Sequence, residues 1–293
     1  LGADLNCIDL CDQPLNLELT FNCGQAFRWR KLPDGVWRGV VYDNLVELAV
    51  QDGYLLWRTF PEVDSSLVEN YLRLSDDVKA IYEQLSSRDS HLASLIDRFH
   101  GLRLLRQDPT ETLFSFVCSA ANSIPRIMTA IEKLASHYGN PICERDGKCY
   151  YTFPPIERLA EADAGSLSKN ASIGFRGFYL KAIALQVLER GYDWLMSLRD
   201  VSYTEARSQL ISLHGVGMKI ADCVCLFSLD KDEAVPVDTH IRKVVRRLGM
   251  LDLPGKSITE TVYRRITEVF AERYGELAGW AQQFLYYEDL IMS

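Results

Sequence analysis

Gly215 and Gly217 lie in the run Leu213-His214-Gly215-Val216-Gly217, directly before Met218, Lys219 and Ile220, whose positions suit the first turn of a helix. Two glycines so close permit positive φ and let the backbone approach a partner. Helix, glycine hairpin and second helix together leave backbone N–H groups pointing outward. Phosphate is a natural ligand for them, through hydrogen bonds and the positive end of the helix dipole. A lone Gly-x-Gly also suits a tight turn packed in the interior, and taken alone it favours that plainer use. The residues that follow tilt the balance. Pro236-Val237-Asp238-Thr239-His240 leads into a further helix with Asp238 as N-cap. Ile241, Val244, Val245 and Leu248 fall on one face of it, and Arg242, Lys243, Arg246 and Arg247 on the other. Such a basic stripe fits a plain solvated surface, but beside a phosphate-shaped hairpin it points to a nucleic-acid backbone.

Two kinds of element must carry these groups. The first sixty residues read as β-structure: Leu15, Leu17, Leu19 and Phe21 alternate with polar neighbours, and Phe27 and Trp29 alternate with Arg28 and Arg30. Turn signals at Pro33-Asp34-Gly35, Asp43-Asn44 and Asp52-Gly53 separate short strands at Trp37 to Tyr42, Val46 to Val50 and Tyr54 to Phe60, an antiparallel meander. From Ser66 onward apolar residues recur at three- and four-residue spacing, as in Leu113, Phe116, Val117 and Ala120, or Ile127, Ala130, Ile131 and Leu134. Ser202 and Glu205 form an S-x-x-E capping box that opens the helix before the hairpin. The expected fold is α+β. An N-terminal antiparallel sheet domain, residues 1–98, packs on a mostly helical domain, 99–293, with the helix-hairpin-helix at 202–229 and the Asp238 helix after it.

The chain has 293 residues, enough for one large domain or two modest ones at roughly 150 residues each. No apolar run approaches the ~18 residues that a membrane-spanning helix needs. Net charge is -8, which by itself argues against a polybasic coat for nucleic acid or anionic lipid. Binding, however, depends on a few local groups, so the acidic total predicts a polarised surface with a modest, salt-sensitive footprint. Eight cysteines are scattered without a CxxC pair or a four-ligand array, which reads as reduced, intracellular thiols and no structural metal. The sequence starts at Leu1, which reads as a processed or trimmed chain and leaves a preceding targeting segment open.

The stretch LHGVGMKIADCVCLFSLDKDEAVPVDTH closely resembles the helix-hairpin-helix and Gly/Pro...Asp signature of base-excision DNA glycosylases, and among them the bifunctional 8-oxoguanine DNA glycosylase/AP lyases. NCGQAFRW (22–29), GLRLLRQDPTETLFSFVCS (101–119), IGFRGFYL (173–180) and GWAQQFLYYEDL (279–290) resemble family segments in the same order, so the likeness covers nearly the whole chain. It implies an active site between helical subdomains, excision of 8-oxoguanine from duplex DNA, an associated lyase step, a monomer acting with the genome inside the cell, and no cofactor or catalytic metal.

The resemblance also implies roles. Lys219 matches the lysine that attacks C1′ and forms the Schiff base. Asp238 matches the essential aspartate, and its usefulness lies in capping and electrostatics, since a mere salt bridge would hold the lysine protonated. Cys223 and Tyr286, the latter where phenylalanine is usual, match the pair that sandwiches the flipped base, with Phe116 in the same pocket. Gln282 matches the reader of its pairing edge, and Gly24 the glycine whose carbonyl accepts the proton that distinguishes 8-oxoguanine from guanine. Asn122, Arg126 and Arg176 match contacts to the orphan cytosine, and Phe175 the aromatic wedge. His214, Gly215, Gly217, His240 and Arg242 fall where DNA phosphate is held. Ala121 stands where the family has asparagine, which predicts a weaker preference for cytosine. Two rivals remain. A same-fold glycosylase for another base is opposed by Lys219, which the alkyl-purine enzymes lack, and by the absence of cysteine after Cys225, which an iron-sulfur cluster of the endonuclease III type would need. A non-catalytic DNA-binding module would have no use for Lys219, Asp238 and a base pocket together.

Overall fold

The chain is described by a computed structural model over residues 5–119, 122–253, 255 and 257–292. Its sheet has five antiparallel strands in the order β1-β5-β4-β3-β2: β1 Asn6–Asp9, β2 Arg30–Lys31, β3 Trp37–Val41, β4 Asn44–Gln51 and β5 Tyr54–Phe60. Gln51 pairs with Tyr54 across Asp52-Gly53, both at positive φ, the two-residue turn that suits the sheet's twist. Trp37, Leu48, Leu55 and Trp57 face a cluster with Phe21, Trp29, Tyr71 and Leu72, in which the Phe21 and Trp29 rings stack at 4.1 Å. All five residues of β3 are buried, because a second hairpin, β6 Pro141–Arg145 and β7 Lys148–Tyr151, sends Asp146 and Tyr150 onto Arg38.

Two local expectations are corrected. Leu17–Asn22 is a helix, not a strand: the Asn16 side chain accepts from the Leu19 N–H at 3.1 Å and the buried set is Leu17, Thr20 and Phe21, a helical spacing. Arg28 does not lie on a wet face. It is buried, donating to the Tyr151 carbonyl at 2.6 Å with Glu111 at 3.5 Å.

The helical layer holds one large apolar cluster. Helices Val78–Arg88 and Ser90–Arg98 bury Val78, Tyr82, Leu85, Leu92 and Leu95 in that cluster, whereas the sheet cluster draws on residues 10–72 and Leu105. The expected division at 98/99 thus falls after two helices that pack with the helical layer. Helix Met218–Ser228, buried from Ala221 onward, lies against Pro109–Ser119, and the start of Ala278–Met292 meets it at Gly279. Their approach is close enough that a Cβ on Gly279 would sit 2.3 Å from Leu226 Cδ1. Among the described residues no helix is long and apolar enough to cross a membrane.

Candidate active site

Helix Tyr203–Ile211 starts as expected on Ser202, whose hydroxyl accepts from the Glu205 N–H at 3.2 Å, and the Glu205 carboxylate receives Gln209 at 2.6 Å. The hairpin glycines then differ. Gly215 has φ +80°, and a Cβ there would lie 2.7 Å from the Tyr179 ring. Gly217 is extended at φ -92°, so of the two it is Gly215 that uses the positive φ glycine permits, and a Cβ on Gly217 would meet nothing within 4 Å. Open space therefore lies before the N-terminus of Met218–Ser228. Among the described residues no acceptor takes the N–H of Gly215 or Gly217, while the His214 N–H is held by Gln186 at 2.7 Å and its ring stays exposed.

Lys219 and Cys223, one helical turn apart, face the same way. The Lys219 ammonium lies 4.8 Å from the Phe116 ring centre. Cys223 is buried beside it, and that burial pushes its thiol pKa up to about 12 although the neighbouring Lys219 pulls the other way. Asp238 caps Thr239–Arg247, its Oδ1 accepting from the N–H of His240 at 2.9 Å and of Ile241 at 3.0 Å. The His240 ring is fixed by Asp289, 2.7 Å from Nδ1, and meets Tyr286 edge-on at 5.3 Å.

These groups surround a cleft of about 770 Å³ that touches Gly24, Phe116, Asn122, Gly217, Lys219, Asp238, His240 and Tyr286. Behind it lies a recess of about 30 Å³ bounded by Cys23, Gly24, Phe116, Lys219, Cys223, Asp238, Gln282, Gln283 and Tyr286. That is about the volume of one water. Gln282 is 2% exposed, and its Oε1 is buried with no hydrogen-bond partner among the described residues. A buried amide oxygen left bare costs roughly 1–3 kcal/mol, so it is a place where an arriving donor gains most. Gly24, at φ +77°, lies so close to Tyr286 that a Cβ would be 3.2 Å from its ring. Burial, with Asp238 and Cys223 nearby, raises the pKa of the Tyr286 hydroxyl and keeps it protonated.

Sequence reasoning missed the groups that hold this recess in shape. Gln283 Nε2 donates to the Cys23 carbonyl at 2.8 Å, and Gln25 Nε2 donates to the Arg103 carbonyl at 2.7 Å. Both amides are buried. The available signal was Gln282-Gln283 inside the apolar run from Gly279 to Leu285, where at least one amide must enter the interior.

Of the remaining expected residues, Arg126, Phe175, Arg176 and Arg242 lie outside both cavities. Arg126 is exposed, and Phe175, 61% exposed, precedes helix Arg176–Arg190. The Arg176 guanidinium lies 4.8 Å from the Phe175 ring centre and donates to the Ile173 carbonyl at 3.2 Å. Asn122 borders the cleft, its Nδ2 donating to the Cys118 carbonyl at 3.3 Å, whereas Ala121 falls outside the described residues. Arg242 is a correction: it is 6% exposed and donates to the Gly255 carbonyl. At about 100° per residue it flanks the Ile241–Val245 stripe and is drawn inward with it. The basic stripe narrows to Lys243, Arg246 and Arg247, with Arg247 bound to Glu288.

Residues 8–113 match the family described as 8-oxoguanine DNA glycosylase, N-terminal domain, and residues 114–273 the HhH-GPD superfamily of base excision DNA repair proteins. An Arabidopsis thaliana protein named N-glycosylase/DNA lyase OGG1 is 35% identical over 292 residues, 97% of this chain and 80% of that protein. The chain belongs to the 8-oxoguanine DNA glycosylase family. A Saccharomyces cerevisiae N-glycosylase/DNA lyase is 27% identical over 98% of this chain and 85% of its own. The Clostridium acetobutylicum 8-oxoguanine glycosylase/lyase, solved with double-stranded DNA containing cytosine opposite 8-oxoG, superposes at a TM-score of 0.87 with 30% identity, covering 99% of this chain and 97% of that one. A 3-methyladenine DNA-glycosylase from Archaeoglobus fulgidus, 20% identical with a TM-score of 0.75, shares the fold.

Proposed function

We propose that this family member flips 8-oxoguanine out of duplex DNA, releases it by attack of Lys219 on C1′, and cleaves the strand through the resulting Schiff base. The observation that carries this reading is one recess that gathers an amine, a carboxylate and a bare buried amide oxygen: Lys219, Asp238 and Gln282. The neutral amine forms a bond to C1′ as the glycosidic bond breaks, and the departing purine takes up a proton. Ring opening gives a protonated Schiff base, whose C2′ proton is then lost as the 3′ phosphate leaves.

An unperturbed lysine is neutral only about once in ~2,500 molecules at pH 7. The helix N-terminus contributes ~0.3–1 kcal/mol, so exclusion of water by the seated base must do more. Asp238 keeps its cap and stabilises positive charge growing on the sugar. The base lies between Cys223 and Tyr286, with Gln282 on its pairing edge and the Gly24 carbonyl on the proton that guanine lacks. Because the resting recess has room for one water, the lining side chains part as the base arrives. Phe175 fills the gap left in the stack, and Asn122, Arg126 and Arg176 meet the orphan cytosine. The open space at Gly217, the N–H groups of Gly215 and Gly217, and the rings of His214 and His240 hold phosphate. The protein acts as a monomer where the genome lies, in a nucleus or a nucleoid.

Borohydride added to the protein and a duplex containing 8-oxoguanine should trap a covalent adduct that vanishes in Lys219→Gln. No adduct and no base release would discard the enzyme reading. An adduct formed only on another lesion would reassign the substrate. Repeating the assay opposite each base tests whether Ala121 weakens selectivity for cytosine.

A further inference from the structure

Asp222 sits three residues after Lys219 on the same helix and is fully buried, yet it borders neither cavity. Its Oδ1 accepts from Arg207 Nε at 2.7 Å and from the Tyr203 hydroxyl at 2.8 Å. Its Oδ2 accepts from the Tyr263 hydroxyl, which in turn accepts from the Val237 N–H at 3.2 Å. Tyr263, 2% exposed on helix Glu260–Tyr274, thus joins two elements. One is the helix of Lys219. The other is the residue immediately before Asp238.

A buried carboxylate among donors adds little net stability, because desolvation offsets most of what its partners return. What it supplies is fixed geometry. Lys219 is locked to Asp222 by helix spacing, and Asp238 is locked to Val237 by the chain. Two hydrogen bonds through a single oxygen span the rest. We infer that Tyr263 is a positioning residue, whose hydroxyl sets the spacing of Lys219 and Asp238 by tying the Asp238 loop to Asp222. The inference rests on the roles proposed above for Lys219 and Asp238. Tyr203 provides the internal comparison, since it gives the same carboxylate the same kind of hydrogen bond and, among the described residues, its hydroxyl makes no hydrogen bond to the loop.

The test compares Tyr263→Phe with Tyr203→Phe in the full chain. Single-turnover release of 8-oxoguanine is measured beside the affinity for a duplex carrying an abasic-site analogue. Tyr263→Phe should slow release about tenfold to a hundredfold, the effect of a small misplacement at the reacting atoms. Its affinity for the analogue should stay within about twofold, and Tyr203→Phe should leave both quantities within about twofold. Equal slowing in the two variants, no slowing in Tyr263→Phe, or parallel loss of rate and affinity would each overturn the inference. Amide exchange at Val237 needs neither substrate nor a folded variant at 263. Protection in the wild type and in Tyr203→Phe supports the tie, and a rapidly exchanging Val237 amide overturns it. Wild-type protein that forms no adduct with the 8-oxoguanine duplex counts against the proposed function, and the exchange measurement still decides the tie.

Discussion

The recess and the rim around it are built on opposite terms. In the recess Cys223 and Gln282 are each 2% exposed, Gln283 is held on the Cys23 carbonyl, and Asp238 is pinned by two backbone N–H groups. On the rim Phe175 and Arg126 stand in solvent, and the hairpin N–H groups have no acceptor among the described residues. Groups that handle bonds must be in place before substrate arrives, because about 1 Å of error can cost a hundredfold in rate. Groups that handle a duplex can be arranged by it on contact. Damage to the recess should therefore appear in rate, and damage to the rim in affinity.

Asp238→Asn should give the largest separation. Asparagine caps a helix as well as aspartate does, so the melting temperature should hardly move, while excision should fall about a hundredfold to a thousandfold with the lost charge. A parallel loss of stability would show that the cap was the main role. Gln282→Leu should slow excision about tenfold to a hundredfold and yet raise stability by about 1 kcal/mol, since it removes a bare buried oxygen. A destabilised variant would mean that the amide is satisfied at rest. Arg126→Ala should leave single-turnover rate and melting temperature alone while weakening affinity for a duplex with cytosine opposite the lesion a few-fold and relaxing the preference for cytosine over the other bases. A rate effect there would erase the distinction between the two regions.

The smallest effect should come from pH. Glu111 lies on the helix that carries Phe116, and burial pushes its carboxyl up to about 7 despite Arg28 at 3.5 Å. Between its ordinary value of 4.5 and 7 the folded chain then binds more protons than the unfolded chain, so stability is lost as pH rises through that window. Glu111→Gln should remove this slope. Its melting temperature should gain about 2–4 °C on the wild type between pH 5 and pH 8. An unchanged gap would place Glu111 in a wetter setting than its burial indicates.

The sequence was most readable where chemistry demands a residue type at fixed spacing. Lys219 and Cys223 at one helical turn, Asp238 at a helix start and the glycines before Lys219 could all be named in advance. It misled where a local pattern meets tertiary packing. Leu15, Leu17, Leu19 and Phe21 alternate like a strand, but Asn16 caps a helix there and the core selects Leu17, Thr20 and Phe21. Arg242 belongs to a basic stripe by spacing and to the interior by its angle on the helix, which only the covering loop at Gly255 reveals. Gln25 and Gln283 were invisible because their partners are carbonyls, and every residue offers one.

Helix Ala278–Met292 supplies Gln282, Gln283 and Tyr286 to the recess and Asp289 to His240. During synthesis Lys219 leaves the ribosome well before any of them. At roughly 5–20 residues per second the interval is on the order of several seconds. For that time the nascent chain carries its amine and hairpin without a chamber to admit a base. The molecule therefore becomes an enzyme only with helix Ala278–Met292, and a chain halted short of it would still hold a binding hairpin with nothing behind it.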